Sequence, residues 1–155
     1  MMSMISRGGE AGLKLIPVNP AEKKEFLSRY MSFRMELEGM NVELSEVWSE
    51  DRLSRFWNEP ERNHLLWIKD GERKIGFAAV SVESPGNAIL CGLFLNREER
   101  GKGLGKAALG SLFNFSRYRG ISNLSVGFLK APRELLEFFR KAGFSGDGMS
   151  LSKRL

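Results

Sequence analysis

Three glycines and three cationic residues lie within seven positions, in the segment Arg100-Gly101-Lys102-Gly103-Leu104-Gly105-Lys106. The pattern around it predicts a helix that begins at about residue 103. The first backbone N–H groups of a helix have no partner within the helix and carry partial positive charge. Glycines let that backbone approach phosphate oxygens because no Cβ lies in the way. The segment therefore predicts a cradle for a phosphate or a diphosphate.

Two common nucleotide-binding loops do not fit this spacing. A P-loop, G-x-x-x-x-G-K-[ST], needs glycine at position 100 and serine or threonine at 107, where the chain has Arg100 and Ala107. A dinucleotide fingerprint that starts at Gly101 needs glycine at position 106, which is Lys106. It also needs a parallel βαβ unit at the start of the fold, which the predicted order of elements lacks. A glycine-rich turn made only for tight packing remains the structural alternative.

The elements that must position this loop follow from hydrophobic periodicity and from turn residues. Apolar runs predict strands at 13–18, 64–69, 74–83, 88–95, 121–129 and 149–155. Helical spacing predicts helices at about 19–38, 45–57, 103–118 and 132–142. Asn19 is placed as an N-cap before Pro20, Gly39 as a helix stop, and Asp70-Gly71 as a hairpin turn. We expect an α+β (mixed α/β) domain in which the glycine loop follows the central strand 88–95.

Composition restricts the class of protein. The 155 residues suit one domain, and hydrophobic residues at 42% with charged residues at 28% are ordinary for a globular chain. A single cysteine, Cys91, excludes an intramolecular disulfide and a multi-cysteine zinc site. No apolar run approaches the roughly 20 residues of a membrane helix, and residues 1–12 lack the apolar core of a signal peptide. We expect a flexible leader over 1–12, a single domain over 13–155, no metal, and the cytoplasm as location.

The net charge of +5 raises the possibility of a nucleic-acid partner, but the charges are segregated. Eight acidic residues lie between positions 36 and 61, against Arg52 and Arg55. Six basic residues lie between positions 97 and 119, against Glu98 and Glu99. This separation indicates two sites with different ligands better than one basic surface, and we expect neither a nucleic-acid nor a membrane partner.

The loop matches the pattern R/Q-x-x-G-x-G/A and closely resembles the signature of the GCN5-related N-acetyltransferase (GNAT) superfamily. Leu93-Phe94-Leu95 before it is similar to the end of that family's central strand. Phe138-Phe139-Arg140-Lys141-Ala142-Gly143-Phe144 is similar to its late helix and the turn that follows. The order of elements matches over about residues 13–155. The resemblance implies a three-layer fold with a central, largely antiparallel twisted sheet and about four flanking helices.

The resemblance also implies an activity and its site. A primary amine of a small-molecule or peptide acceptor would attack the thioester of acetyl-CoA directly, in a ternary complex. Pantetheine would lie along a central strand that is splayed from its neighbour, and a backbone N–H near Phe94 or Leu95 would hold the thioester oxygen. One such oxyanion donor is worth about 3 kcal/mol. The implied cofactor-binding residues are Leu93, Phe94, Leu95, Arg100, Gly101, Lys102, Gly103, Leu104, Gly105, Lys106 and Phe139.

The chain departs from the family pattern at the residues that move protons. Ile89, Cys91, Leu93 and Leu95 are expected on one face of the central strand, and none is a carboxylate. The tyrosine that often protonates the departing thiolate corresponds to Phe139. The asparagine often found before the late helix is lost to Lys130 or Ala131.

Several residues are candidates to replace the missing acid and base. Glu83, at the end of a strand, is the candidate general base, acting through water. The alternative is that Glu83 is a solvated carboxylate on the surface. His64, the only histidine, has a suitable pKa but begins a strand, where packing is expected. Cys91 on a buried strand is read as a small core residue, and Tyr30 belongs to the apolar stripe of the first helix.

The acidic residues between 36 and 61 favour a cationic acceptor such as a polyamine, an aminoglycoside-like molecule or a lysine. The alternative is that these residues form a solvated helix face. Trp48, Trp57 and Trp67 line either an acceptor pocket or the core, and the core is favoured. A non-catalytic acyl-CoA-binding or sensing module is the alternative function, because the usual acid and base are missing. A nucleic-acid-binding protein ranks last. Oligomeric state is expected to be a monomer or homodimer.

Overall fold

The structure, a computed structural model, describes residues 13–44 and 50–155. Its strands are β1 (Leu13–Pro17), β2 (Glu43–Leu44), β3 (Asn63–Asp70), β4 (Arg73–Ser84), β5 (Asn87–Leu95), β6 (Asn123–Lys130) and β7 (Ser150–Arg154). Its helices are α1 (Lys23–Gly39), α2 (Glu50–Asn58), α3 (Leu104–Tyr118) and α4 (Arg133–Lys141), with short 3-10 turns at Pro20–Glu22 and Arg97–Glu99.

The strands form one sheet in the order β1-β3-β4-β5-β6-β2, and β7 pairs with β6 over residues 123–127. All neighbouring strands are antiparallel except β5 and β6, which are parallel. The hairpin predicted at Asp70-Gly71 is present, since β3 joins β4 at Gly71-Glu72, and a second hairpin joins β4 to β5 at Pro85-Gly86. The predicted α+β fold with a largely antiparallel sheet is therefore confirmed.

Successive side chains of β3 enter different cores, which shows that helices cover both faces of the sheet. Leu65 and Trp67 pack into an aromatic cluster with α1 and α2, while Leu66 and Ile68 pack into a second core with α3 and α4. The aromatic cluster also contains Phe26, Tyr30, Phe33, Phe56 and Phe77. The three-layer arrangement follows from the period of two along a strand that is buried on both faces.

The first helix starts as its sequence predicts but ends differently. The Asn19 side chain accepts from the Ala21 N–H at 2.9 Å, and the Glu22 carboxylate accepts from the Asn19 N–H at 2.9 Å. At the other end Gly39 is still helical, so its prediction as the helix stop is wrong. The left-handed residue is Asn41, with φ of +58°, because asparagine tolerates this conformation.

A β-bulge in β5 corrects one prediction about the central strand. Ala79 of β4 faces Gly92, but the next residue, Val80, faces Leu90, so Cys91 is an extra residue in β5. One extra residue reverses the side-chain alternation beyond it. Ile89 and Cys91 therefore pack against the aromatic cluster, whereas Leu93 and Leu95 pack against the opposite core. The expectation that these four side chains share one face is wrong.

Parts of two predictions lie outside the described residues. These are the leader over 1–12 and the first half of the helix predicted over 45–57, including Trp48. None of the helices within 13–44 and 50–155 combines the length and the apolar character that crossing a membrane requires.

Candidate functional site

The parallel strands β5 and β6 diverge after a short contact. They are paired only at Asn87–Asn123, Ala88–Leu124 and Ile89–Ser125, although β5 continues to Leu95 and β6 to Lys130. Beyond this point β5 remains paired to β4, and β6 is paired to β7 and β2. A gap therefore opens inside the sheet next to the bulge at Cys91, as expected for a central strand that is splayed from its neighbour.

The gap holds a cavity that is lined by residues from both faces of the sheet. Its volume is about 290 Å³, and it is lined by Phe33, Glu36, Leu37, Met40, Leu93, Phe94, Leu95, Arg100, Gly105, Leu135 and Phe138. Residues of α1 thus share one cavity with residues of α3 and α4, which cover the opposite face. A smaller cavity of about 70 Å³ shares Phe33, Leu37, Leu93 and Leu135 with it and is also lined by Phe139. We call the two together the inter-strand cavity.

The backbone of Leu95 faces this inter-strand cavity. The N–H of Asn96 donates to the carbonyl of Ile75 at 2.7 Å, so residue 96 is directed at the neighbouring strand β4. In an antiparallel ladder alternate residues point to opposite sides of the strand. The N–H and C=O of Leu95 therefore point away from β4, towards the gap left by β6.

The glycine loop lies at the mouth of the cavity and has an open backbone. Gly101 and Gly103 have φ of +78° and +76°, a region that residues with a Cβ rarely adopt. A Cβ built on either glycine would meet no heavy atom within 4 Å, so the space above them is open. Gly103 is the N-cap of α3, and no side chain caps this end. Open space therefore adjoins the backbone of the predicted cradle, and no side chain occupies its N–H groups.

A groove runs from this loop along α3. Its volume is about 650 Å³, and it is lined by Gly103, Lys106, Ala107, Gly110, Ser111, Phe113, Asn114 and Arg117. The first turn of α3 contains no acidic residue, although Lys106 lies in it. An acidic side chain at a helix N-terminus would stabilise the helix through its dipole, and a cation would not. A start with a cation and no acid is instead suited to binding an anionic ligand.

Arg100 has partners that sequence reasoning did not foresee. Its Nε and Nη2 atoms donate to the carbonyl of Leu95 at 3.0 and 2.7 Å, and Nη2 also donates to Oε1 of Glu36 at 2.8 Å. A second short bond joins Nη1 to Oε2 of Glu36. Arg100 therefore lies in the wall of the inter-strand cavity, and its guanidinium binds protein groups there rather than lining the groove along α3.

A second ion pair anchors the segment before the loop. The Glu99 carboxylate is buried, and Arg73 of β4 donates to both of its oxygens at 2.8 and 3.3 Å. This hydrogen bonding lowers the pKa of Glu99 and raises the pKa of Arg73. Lys102 Nζ lies 3.8 Å from the same carboxylate. The turn that leads into the glycine loop is thus attached to the sheet.

Glu83 is not placed with these groups. Leu93 faces Ala78, and Glu83 is five residues further along β4, about 17 Å at roughly 3.3 Å per residue. Its carboxylate accepts from Ser81 Oγ at 3.1 Å. The hairpin therefore carries Glu83, the predicted base, to the far end of the strand, away from the inter-strand cavity.

The other proton-transfer candidates also lie away from the cavity or in the core. His64 faces Val80, its ring lies 5.5 Å from that of Phe115, and burial lowers its pKa. Tyr30 is buried in the aromatic cluster, where burial raises its pKa. Phe139 lies in the wall of the inter-strand cavity and has no proton to donate.

Sequence reasoning missed several residues of the cavity wall. Phe33, Leu37, Leu135 and Phe138 fall on apolar helix stripes, which indicate a core and a cavity wall equally well. Glu36 was noticed only as one of many acids. Among the tryptophans, Trp67 is 1% exposed in the core and Trp57 packs edge-on against Phe26, which agrees with the favoured core assignment.

Comparisons with known proteins agree on one family. The chain matches the model of the acetyltransferase (GNAT) family over residues 30–144. It is 27% identical over 137 residues to "Serotonin N-acetyltransferase 2, chloroplastic" of Oryza sativa subsp. japonica. That match covers 79% of this chain and 66% of the relative, so the chain spans about two thirds of the rice protein's length.

Solved structures share the fold. An acetyltransferase from Thermus thermophilus superposes with a TM-score of 0.70 at 19% identity, over 92% of this chain and 97% of the other. A GNAT family acetyltransferase from Elizabethkingia anophelis with acetyl-CoA bound has a TM-score of 0.68 at 11% identity, over 93% and 99%. The PaiA N-acetyltransferase from Thermoplasma acidophilum in complex with coenzyme A has a TM-score of 0.65 at 17% identity, over 92% and 99%. Because the family match spans most of the sequence, the chain belongs to the acetyltransferase (GNAT) family.

Proposed function

We propose that this chain transfers an acetyl group from acetyl-CoA to a primary amine, by direct attack in a ternary complex within a single domain over residues 13–155. The observation that carries the proposal is the inter-strand cavity, which is lined from both faces of the sheet and adjoins the glycine loop. Two substrates can meet there from opposite sides. Relatives named for acetyl-CoA, for coenzyme A and for N-acetylation of an amine support the same reaction.

The donor fits the loop and groove described above. The unpartnered N–H groups at the start of α3 and the ammonium of Lys106 would hold the diphosphate, since open space lies above Gly101 and Gly103. The apolar side chains of Leu93, Phe138 and Phe139 would contact the pantetheine arm. When bound, acetyl-CoA supplies a thioester whose carbonyl carbon accepts the amine and whose thiolate leaves.

The backbone N–H of Leu95 is the proposed oxyanion donor. It points into the gap between the strands, where the two substrates are proposed to meet. A donor fixed before the reaction stabilises the charge that develops on the thioester oxygen, and one such donor is worth about 3 kcal/mol. Leu95 thus acts through its backbone, and its side chain forms part of the cavity wall.

The amine must lose a proton before it attacks. An amine with a pKa of about 10.4 is mostly charged at pH 7, a deficit of about 4.6 kcal/mol. Among the described residues that line the inter-strand cavity, the carboxylate of Glu36 is bound to Arg100, and neither histidine nor tyrosine is present. We infer that the amine is deprotonated by solvent, so kcat/KM should rise with pH until the pKa of the amine is reached.

The acceptor is proposed to be a cationic molecule with a slender amine arm. The inter-strand cavity is narrow and mainly apolar, which suits a methylene chain such as that of a lysine or a polyamine. The exposed carboxylates of Glu38 and Glu43 come shortly before and after Met40, which lines the cavity on the α1 side. They favour positive charge on the part of the acceptor that stays outside.

The experiment that tests the function is turnover. A thermal-shift titration with acetyl-CoA should raise Tm, since a ligand at 100 times its Kd adds about 2.7 kcal/mol of stability. Release of free thiol should then follow with spermidine or a lysine-containing peptide, and more slowly with phenethylamine. Acetyl-CoA binding without turnover of any amine would favour the sensing module, which the absence of histidine and tyrosine from the described cavity wall supports. No binding at all would refute both.

A further inference from the structure

The side chain of Arg100 connects two elements on different sides of the inter-strand cavity. It binds the carbonyl of Leu95 at the end of β5 through two donors, and it binds both oxygens of Glu36 on α1. Its guanidinium also lies 5.3 Å from the ring centre of Phe94. We call the Glu36–Arg100 pair and its bonds to Leu95 the clamp.

The clamp acts on the backbone that carries the proposed oxyanion donor. The peptide between Leu95 and Asn96 is held from both sides, because its carbonyl accepts from Arg100 and its N–H donates to Ile75 at 2.7 Å. Rotation of this peptide would break charge-assisted bonds on one side and a strand bond on the other. Leu95 is therefore kept extended, with its own N–H directed into the gap.

We propose that Glu36 and Arg100 are positioning residues that fix the Leu95 N–H for acetyl transfer. The proposal rests on the proposed function and goes beyond it, because neither side chain needs to touch a substrate. Glu36 is required because its carboxylate orients the planar guanidinium, which is only partly buried, with 34% of the side chain exposed. Without Glu36 the guanidinium retains a single carbonyl partner and is free to turn towards solvent.

Lysine in place of arginine separates this role from phosphate binding. A lysine keeps the positive charge and can contact a phosphate as a point charge, but it lacks the planar fork that bridges Leu95 and Glu36. Arg100→Lys should therefore preserve acetyl-CoA affinity if the clamp is correct and should still lose catalytic rate. Glu36→Gln tests the other half, since the amide keeps the shape of the side chain but loses its charge.

The experiment compares Glu36→Gln and Arg100→Lys with matched controls. Glu25→Gln changes an exposed acid in the first turn of the same helix, away from the inter-strand cavity, and Arg97→Lys changes an exposed arginine three residues before Arg100. Acceptors are spermidine, phenethylamine and a lysine-containing peptide. We expect kcat to fall about tenfold in both clamp variants, since small misplacement of a reacting group is costly. The Kd for acetyl-CoA should stay within about twofold, and the controls should match the parent protein.

Hydrogen exchange of the Asn96 amide gives a readout that needs no turnover. It should be faster in both clamp variants and unchanged in the controls, and exchange at Ala88 and Leu90 should not change. The double variant should lose no more rate than either single one, because both changes break the same unit.

Three results would overturn the clamp. The first is a large loss of acetyl-CoA affinity at normal kcat in Arg100→Lys, which would show that the arginine fork itself binds acetyl-CoA. The second is unchanged kcat together with unchanged Asn96 exchange. The third is faster exchange along the whole of β5 with a lower Tm, which would show a merely structural role. If the parent protein acetylates none of the amines, the proposed function fails, and Asn96 exchange still decides the clamp.

Discussion

Each end of α3 carries a glycine whose backbone lies in the left-handed region. At the C-terminal end Gly120 has φ of +78°, and the N–H groups of Gly120 and Ile121 donate to the carbonyls of Arg117 and Ser116 at 3.0 and 2.9 Å. This glycine satisfies carbonyls of its own helix. At the N-terminal end Gly103 has nearly the same φ, +76°, but no side chain caps the N–H groups that follow. A left-handed glycine is thus found at both ends, but only at the C-terminal end are the terminal backbone groups of the helix hydrogen-bonded.

The charged side chains at the two ends of α3 also differ in how they interact with the helix dipole. Arg117 in the last turn complements the negative end of the helix dipole, whereas Lys106 near the start opposes the positive end. The start of the first helical segment, by contrast, is closed by the reciprocal bonds of Asn19 and Glu22. The start of α3 lacks both a side-chain cap and an acid, which favours the proposed binding of an external anion there. The following variants test this difference.

The largest effect is expected for the paired variants Gly103→Val and Gly120→Val. Both place a β-branched residue at a positive φ with open space around the Cβ, so both should lose roughly 1–2 kcal/mol of stability. Only Gly103→Val should lower acetyl-CoA affinity, by at least about 100-fold or about 2.7 kcal/mol. Calorimetric titration measures the affinity, and urea unfolding measures the stability.

Gly120→Val is the control for backbone strain, since its φ matches that of Gly103. Equal affinity in the two variants would contradict the assignment of the loop as the acetyl-CoA cradle and would leave tight packing as the reason for the glycines.

A smaller effect is expected for the cations at opposite kinds of helix end. Lys106→Ala should lower acetyl-CoA affinity about tenfold without loss of stability, because it removes a charge that the helix dipole disfavours. Lys141→Ala, in the last turn of α4, should leave affinity unchanged and cost about 0.5 kcal/mol of stability. The opposite pattern, with Lys106→Ala destabilising and binding intact, would assign Lys106 to the fold instead of the ligand.

The smallest effect concerns the capped helix start. Hydrogen bonding to Lys74 is the largest cause that lowers the pKa of Glu22 to about 2 from an ordinary 4.5. A lowered pKa stabilises the folded state above pH 4.5, and this contribution is lost as the pH falls from 4.5 towards 2. Glu22→Gln should therefore cost about 1 kcal/mol at pH 7, a value discounted for partial exposure. Urea unfolding at pH 7, 4 and 3 should show the gap to the parent protein narrowing, and a constant gap would refute the assignment.

Much of the fold was predictable because its signals are local. The Asn19 cap, the Asp70-Gly71 hairpin and the glycine loop each depend on residues within a few positions of one another. Element boundaries agree within a few residues where the structure describes them. The helix stop predicted at Gly39 is an exception. Asn41 can also take a left-handed conformation, and it is this residue that adopts it after α1.

The bulge at Cys91 was not predictable in this way. Gly92 is the one residue in β5 that indicates a bulge. A strand that is buried on both faces is apolar throughout, so its sequence has no polar–apolar alternation that a bulge would interrupt. The predicted face shared by Ile89 and Leu93 failed for this reason. The position of Glu83 was not predictable either, because its distance from the cavity depends on the hairpin register, which places Glu83 five residues beyond Ala78, about 17 Å along the strand at roughly 3.3 Å per residue.

By itself the sequence determined the family resemblance and the order of elements, and it predicted the cradle, because each depends on residue types at short spacing. Only the tertiary structure decided how far β5 and β6 stay paired, which side chains line the gap, and that Arg100 binds Glu36, 64 residues away. The physical reason is that strand divergence and long-range ion pairs are properties of packed elements. The sequence does not show which acid Arg100 binds, because Glu36 comes close to it only when α1 packs on the sheet.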